Sequence, residues 1–497
     1  MKFTYRTAST GLVGFVCCLL ILIHTTTDFS HTIWPGHPSH TANSELYRAA
    51  LAGLKLSSNF KYNRQCLSVR QDKKRDRKHA DVTTIDGSFL STWQTLNTAA
   101  IADNKADLPA MSRACERITT VELASKNSPD RFKHDTSVLI LGVATTLDRL
   151  LSTLPQMSHW LANTEAHLLV ILRDQPTIDN DAVRAAEGHA QLLGIKLTVV
   201  ARDQFDQGKP SKQANGGEAE NNFGLVRAFY HYKTPRTRWF AVIDDDTFFV
   251  SLQGVLEALT RYDPSDTLYI GTQTEHHLGA SQEPMKATGG AGMFLSLSLV
   301  DTLMENFDIC MGMAGQFGDI LWSDCILKVT SPTVRISMLT GLHQLDVFGD
   351  LAGFYESGSW PLLTLHHWKS WHKHSVPEAH LATRVAGINS FLNRWLWTDE
   401  KLLLTNGFSI VQYPDQVPDL GLIEKTFDAY PGRADDDIEI DYQFAFGKMR
   451  PRLQEGKHKI SWRMERAIAD GNIVRQFYVK RGVESNDDSV IEIDWIE

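Results

Sequence analysis

Three adjacent carboxylates, Asp244, Asp245 and Asp246, follow the apolar run WFAVI at 239–243. Like charges this close repel one another unless a cation or hydrogen-bond donors compensate them. At the carboxyl end of a buried strand, where open α/β sheets bind ligands, such oxygen donors suit Mg2+ or Mn2+ bridging to substrate phosphates. The alternative is a helix cap, with Asp246 preceding a helix that begins near Ser251. The apolar strand before the acids and the TFFV after them favour the metal.

Three further segments carry chemistry. Thr288-Gly289-Gly290-Ala291-Gly292 precedes the apolar MFLSLSLV, and its glycines let the backbone approach a ligand or turn tightly. No GK[ST] follows, so it is not a phosphate loop. Asp319, after Gly318, opens the helical pattern GDILWSDCILKV. Locally it reads as a first-turn acid that stabilises the helix dipole, or as a general base. The stretch LHHWKSWH places His366 beside His367. On a strand they point to opposite faces, so one of them faces a given site, as a ligand beside carboxylates or as a hydrogen-bonded core histidine. Trp368 and Trp371 are suited to stacking on a sugar ring or to packing against the C-terminal part.

The elements that must position these residues are legible from about 135 onward. SVLILGV (137–143), HLLVIL (167–172), IKLTVVA (195–201) and WFAVI alternate with helical patterns ending near Leu161, Leu193 and Tyr232. Short buried strands between helices predict an α/β sheet. The Gly- and Lys-containing stretch from Asp206 to Glu218 reads as a mobile loop able to close over a ligand. Beyond about 390, segments such as LLLTNGFSIVQY and VIEIDWI alternate apolar and polar residues, which predicts a smaller antiparallel β-rich domain over 377–497. Weaker helical patterning at 90–101 and 115–123 suggests a helical extension over 81–134. Residues 25–80 are polar and turn-rich and read as a stem.

The 497 residues are 42% hydrophobic and 22% charged, which excludes a wholly disordered or collagen-like chain. A net charge of -9 argues against nucleic acid as a partner. The basic run Arg70–Lys78 contains two aspartates and reads as a solvated linker. Lys2 and Arg6 precede the uncharged GLVGFVCCLLILI (11–23), which falls within the about 7–15 residues of a signal-peptide core and is short of the about 17–25 residues of a span. With no cleavage site after it, residues 1–24 read as an uncleaved signal-anchor with the body lumenal; a cleaved secretory signal is the alternative. Cys17 and Cys18 lie in that run. Of the three pairings open to Cys66, Cys115, Cys310 and Cys325, the preferred one, Cys66–Cys115 with Cys310–Cys325, closes modest loops. No N-x-[ST] sequon occurs.

Taken in order, ATTLDRLLSTL (144–154), RWFAVIDDDTFFV, YIGTQTE (269–275), ATGGAGMFLS (287–296), FGDILWSDC (317–325), GLHQLDVFGDLAGF (341–354) and LLTLHH (362–367) resemble the Fringe-like and core-1 galactosyltransferase group, glycosyltransferase family 31. Its fungal Fringe-like members are the nearest in pattern. The resemblance covers roughly 135–376. It implies a GT-A-type Rossmann-like mixed sheet over 81–376 and a single-pass type II Golgi membrane protein. It also implies a UDP-sugar donor, a glycan or glycoprotein acceptor, Mn2+ (or Mg2+) and an inverting, β1,3-type transfer. Matched residue by residue, Asp246 and His366 fall on the metal, with His367 as the neighbouring alternative. Asp244 and Asp245 fall beside the ribose and diphosphate, and Asp319 on the catalytic base. Thr145, Thr146, Arg149 and Asp174 fall on the donor site, and Gly289 and Gly290 on the acceptor wall. Two departures stand out: Arg173-Asp174 replaces the family's usual Thr-Asp, and Gly318-Asp319 its usual acidic pair. The competing reading, a catalytically silent sugar-binding or scaffold protein, is disfavoured by the retained Asp246, Asp319 and His366. A metal-dependent phosphohydrolase leaves the ATT segment and the glycines unexplained.

Overall fold

The computed structural model describes residues 44–102, 115, 117–129, 133–174, 180–201, 218–281, 285–313, 318–330, 333–428, 441–482 and 488–497. The signal-anchor segment, Cys17, Cys18 and nearly all of the 206–218 loop lie outside these residues. No helix among the described residues is long and apolar enough to cross a membrane.

A seven-stranded mixed sheet carries the chemistry-bearing segments. Its strands are β1 (Leu139–Thr145), β2 (His167–Leu172), β3 (Leu197–Val200), β4 (Trp239–Val242), β5 (Tyr269–Gly271), β6 (Met293–Ser296) and β7 (Ile336–Met338). They run in the order β7-β5-β6-β4-β1-β2-β3. β6 is antiparallel to both of its neighbours, and the other pairings are parallel. Helices α1 (Leu147–Leu161), α2 (Asp181–Leu192), α3 (Leu225–Tyr232), α4 (Leu252–Leu259), α5 (Leu297–Glu305) and α6 (Gly318–Val329) flank the sheet. The central runs are apolar without a break because both faces are covered. Leu139, Leu141 and Val143 enter one core cluster, and Ile140 between them enters the other.

The second large sheet departs from the expected domain plan. Its path runs through strands 83–85, 394–397, 402–405, 409–412, 460–470, 473–480, 489–496, 59–72 and 94–97, with 119–124 paired to 59–72. Residues 44–72, expected to be a stem, are therefore a helix (Ser44–Gly53) and a fourteen-residue strand (Asn59–Asp72) parallel to 489–496. The described residues of 81–134 supply strands where a helical extension was expected, and among them one short helix, Thr98–Ala102. Polar composition misleads here because the polar groups are satisfied internally. The Tyr47 and Tyr62 hydroxyls donate to Glu492 at 2.6 and 2.7 Å. Arg475 Nη1 donates to Glu492 and Asp494 at 3.0 and 2.8 Å. Nor is the basic run wholly solvated. Arg77 is 3% exposed and donates to the carbonyls of Asn389, Phe391 and Leu392. One apolar cluster spans both sheets, from Leu141 and Val170 to Trp395 and Trp495, so the β-rich part and the α/β part share a core. Both preferred disulfides form, Cys66–Cys115 and Cys310–Cys325.

Candidate active site

β4 is buried along its whole length, and the chain leaves it through the three acids. Thr247 ties this turn to the glycine loop: its hydroxyl accepts from the Asp244 N–H at 2.9 Å and donates to the Gly290 carbonyl at 2.7 Å. The acids then diverge. Asp245 turns to α1, where the Thr145 hydroxyl and the Arg149 guanidinium (Nε at 2.6 Å) donate to it. Its charge is compensated by the protein. Asp246 is buried, and its Oδ1 lies 2.9 Å from His366 Nε2. Asp244, with 45% of its side chain exposed, stands 3.4 Å from the same nitrogen. Asp246 is not a helix cap. Ser251 caps α4, its hydroxyl accepting from the Gly254 N–H at 3.0 Å.

The histidines do not alternate as strand neighbours. The strand Thr364–Leu365 ends before them, and His367 adopts φ 54°. This left-handed conformation brings the two rings to 3.8 Å between centroids. One ligand atom each from Asp246, His366 and His367 lies within 4.8 Å of the others. His367 is already engaged, through Nε2 with Asp346 at 3.0 Å and through Nδ1 with Ser370 at 3.1 Å. His366 is not so engaged: its Nδ1 is buried with no partner among the described residues, and its Nε2 faces the two carboxylates. Burial alone would lower the His366 imidazole, but hydrogen bonds and charge from Asp244 and Asp246 lift it to about 10. Burial likewise opposes ionisation of Asp246, and His366 nevertheless holds it far below the usual carboxylate range. A cluster that stabilises positive charge with one imidazole and two carboxylates fits Mn2+ or Mg2+.

The glycine loop is a spacer between this cluster and Asp319. A Cβ on Gly290 would lie 2.2 Å from His366 Cε1, and one on Gly289 would lie 2.9 Å from Asp319 Oδ1. The loop is held from behind, Ala291 N–H donating to Gln344 at 2.7 Å and Thr364 donating to the Ala291 carbonyl at 2.6 Å. We expect Gly290→Ala to displace the His366 ring, costing about 1–3 kcal/mol by overpacking. It should also weaken Mn2+ binding measured by calorimetry. Gly289→Ala meets only a carboxylate tip and should be milder. Equal Mn2+ affinity in wild type and Gly290→Ala would show that this spacing is not needed.

Asp319 opens α6, and its Oδ1 accepts from the Gly289 N–H at 3.2 Å. Burial of the carboxyl end and the neighbouring Asp244 push it up to about 7. α6 is fixed by the Cys310–Cys325 disulfide and by Trp322 Nε1, which donates to Asn222 at 2.6 Å.

The four predicted donor residues gather at the N-terminus of α1. Thr146 is its N-cap, and the Asp174 carboxylate accepts from the Leu147 N–H at 3.1 Å. Thr145 and Arg149 bind Asp245, so the segment is locked to the acid turn. The two tryptophans separate. Trp368 is 4% exposed and packs edge-on to Phe248, whereas Trp371 is 48% exposed. Sequence reasoning gave no role to Asp346, the partner of His367, or to buried Glu275, which accepts from the Asp346 N–H at 3.1 Å. Burial and Asp346 push Glu275 up to about 7. The available signal was the position of both acids inside the ordered segments 269–275 and 341–354.

Residues 196–330, from before β3 through α6, match the family described as Fringe-like. Residues 282–395 match a family described as a protein of unknown function, DUF604. A mouse (Mus musculus) beta-1,3-glucosyltransferase is 27% identical over 94 residues, 19% of this chain and 19% of its own, so this chain spans about a fifth of that relative. Mouse xyloside xylosyltransferase 1 in its apo form overlaps 40% of this chain and 84% of its own at 12% identity, with a TM-score of 0.28. A mannosyltransferase from Pyrobaculum calidifontis, in complex with GDP-Man and Mn2+, overlaps 40% of this chain and 56% of its own at 12% identity, with a TM-score of 0.25.

Proposed function

We propose that this chain, with its match to the Fringe-like family, is a metal-dependent inverting glycosyltransferase that moves a sugar from a UDP-sugar to a hydroxyl of a glycan or glycoprotein. The observation that carries the reading is the pair of adjacent glycines that seats Asp319 on one side and His366, with Asp246, on the other. A base and a cation cluster held by one rigid spacer suit displacement at an anomeric carbon. The similarity to a protein named beta-1,3-glucosyltransferase supports a β1,3 linkage. The two disulfides support an oxidising compartment. With the signal-anchor at 1–24, they favour the Golgi membrane, single-pass type II with a lumenal catalytic part; a secreted form is the alternative.

Asp246 and His366 would hold Mn2+, or Mg2+, which would supply the positive charge that stabilises a leaving diphosphate. Asp245 keeps Arg149 in place rather than binding the donor itself. Asp319 takes the proton of the acceptor hydroxyl as its oxygen attacks the anomeric carbon from the face opposite the diphosphate. That oxygen–carbon bond forms as the carbon–phosphate-oxygen bond breaks, so the configuration inverts. A carboxylate near pKa 7 is a stronger base than an ordinary one and is still about half ionised at neutral pH.

The test is hydrolysis of a UDP-sugar panel by the purified protein. One sugar should be released faster with Mn2+ than with EDTA. No metal-stimulated release from any donor, by protein that is folded by thermal denaturation, would leave the scaffold reading standing.

A further inference from the structure

The proposed function does not use Trp371, although this side chain is 48% exposed at the rim of the cation cluster. Its indole lies nearly parallel to the His367 ring, 4.1 Å between centroids and 8° between planes. Phe348 stands 5.8 Å from it on the neighbouring segment, and His276 stands 6.5 Å beyond Phe348. Three distant stretches of chain therefore bring aromatic rings together here. The arrangement is braced from the C-terminal side. Phe348 N–H donates to the Tyr442 hydroxyl at 3.2 Å, and His277 and Asp441 exchange two hydrogen bonds through backbone and ring. The apolar core does not require this: Trp368, three residues earlier, fills that role.

The segment 366–372 also has two sides. Lys369 Nζ reaches Ser152 of α1 at 3.3 Å, on the flank where Arg149 and the N-terminus of α1 lie. Trp371 packs against Phe348. Its indole is joined to the base through contiguous neighbours: it stacks on His367, His367 lies 3.8 Å from the His366 ring, and the adjacent glycines touch His366 on one side and Asp319 on the other. The aromatic patch thus borders the site that holds the base, to which the acceptor hydroxyl must come.

Resting on the glycosyltransferase reading, we propose that the exposed indole of Trp371, with Phe348 beside it, is the platform on which a pyranose ring of the acceptor stacks. The C–H-bearing face of a pyranose is apolar and meets the negative face of an aromatic ring, while its hydroxyls remain free for Asp319.

The experiment uses the full chain, UDP-sugar and Mn2+, with methyl α- and β-glycosides of glucose, galactose, mannose and N-acetylglucosamine as acceptor probes. Their transfer and their binding by saturation-transfer NMR are both followed. Trp371→Leu keeps an apolar side chain but loses the flat aromatic face, and should raise acceptor KM several-fold, up to about tenfold. Donor KM and the Mn2+ midpoint should move less than twofold, and Trp371→Phe should recover most of the acceptor affinity. If the Leu variant instead shifts the Mn2+ midpoint and leaves acceptor KM unchanged, Trp371 only buttresses His367 and the platform is overturned. Unchanged kinetics in both variants also overturn it. Wild-type protein that neither binds nor transfers to any of these sugars defeats the parent reading first.

Discussion

Asp319→Asn should lower kcat by about 10²–10⁴-fold, the usual worth of a general base, and should also stabilise the folded protein above neutral pH. The two effects share a cause. Burial beside Asp244 holds this carboxyl near 7, against an ordinary aspartate of about 3.9. Between those values the folded state keeps a proton that the unfolded state has released. The unfolded state therefore binds fewer protons there, and stability falls as pH rises through the window. An amide carries no such loss. The variant should gain a few kcal/mol, about 4 at most, over wild type at pH 8 and nothing below pH 4. Turnover and thermal denaturation across that range check the two effects, and UDP–Mn2+ binding, expected to stay near wild type by calorimetry, separates a base from a donor-site residue. The wild-type rate should fall as pH drops below about 7, because the base is then protonated. A cation beside Asp244 weakens the repulsion and moves that limb lower. Normal turnover in the variant would remove the base; lost turnover with lost UDP binding would point to a donor-site role.

Asp246→Ala should weaken Mn2+ more than about 100-fold, since even second-shell losses cost about 10–100-fold, and UDP binding should weaken with it. The reason lies in the division of labour among the three acids. Asp245 is neutralised by Arg149 and Thr145 and has nothing left to offer. Asp244 is half-exposed. Asp246 is the buried carboxylate at 2.9 Å from His366. Removing it leaves His366 facing Asp244 alone, so its raised pKa should fall. Calorimetry of Mn2+, and of UDP with and without Mn2+, reads the first effect, and NMR titration of the His366 ring reads the second. Asp245→Asn supplies the contrast: it should loosen Arg149 and α1 while Mn2+ affinity stays closer to wild type. Equal Mn2+ affinity in Asp246→Ala and wild type would exclude this cluster as the cation site.

Much of the site was legible because its residues declare themselves locally. A run such as WFAVI has one stable placement, between two covered faces of a sheet, and three acids after it need a compensating charge wherever the chain goes. The strands and helices from 139 onward, and the place of Asp319 at the start of its helix, follow from periodicity that nearest neighbours enforce; the role proposed for Asp319 came from the resemblance. What one sequence lacks is the partner of each group across space. Asp245 and Asp246 are adjacent and chemically identical, and only the arrival of Arg149 on α1 makes one structural and leaves the other to His366. The histidine pair reads as strand alternation until a left-handed φ at His367 brings both rings together. Residues 44–72 read as a solvated stem because their polar groups are paired with Glu492 and Asp494, more than 400 positions away. Residue types and local pattern thus determined the chemistry on offer and the elements carrying it. Tertiary structure decided which charge meets which, because desolvation and ion pairing depend on neighbours through space and not along the chain.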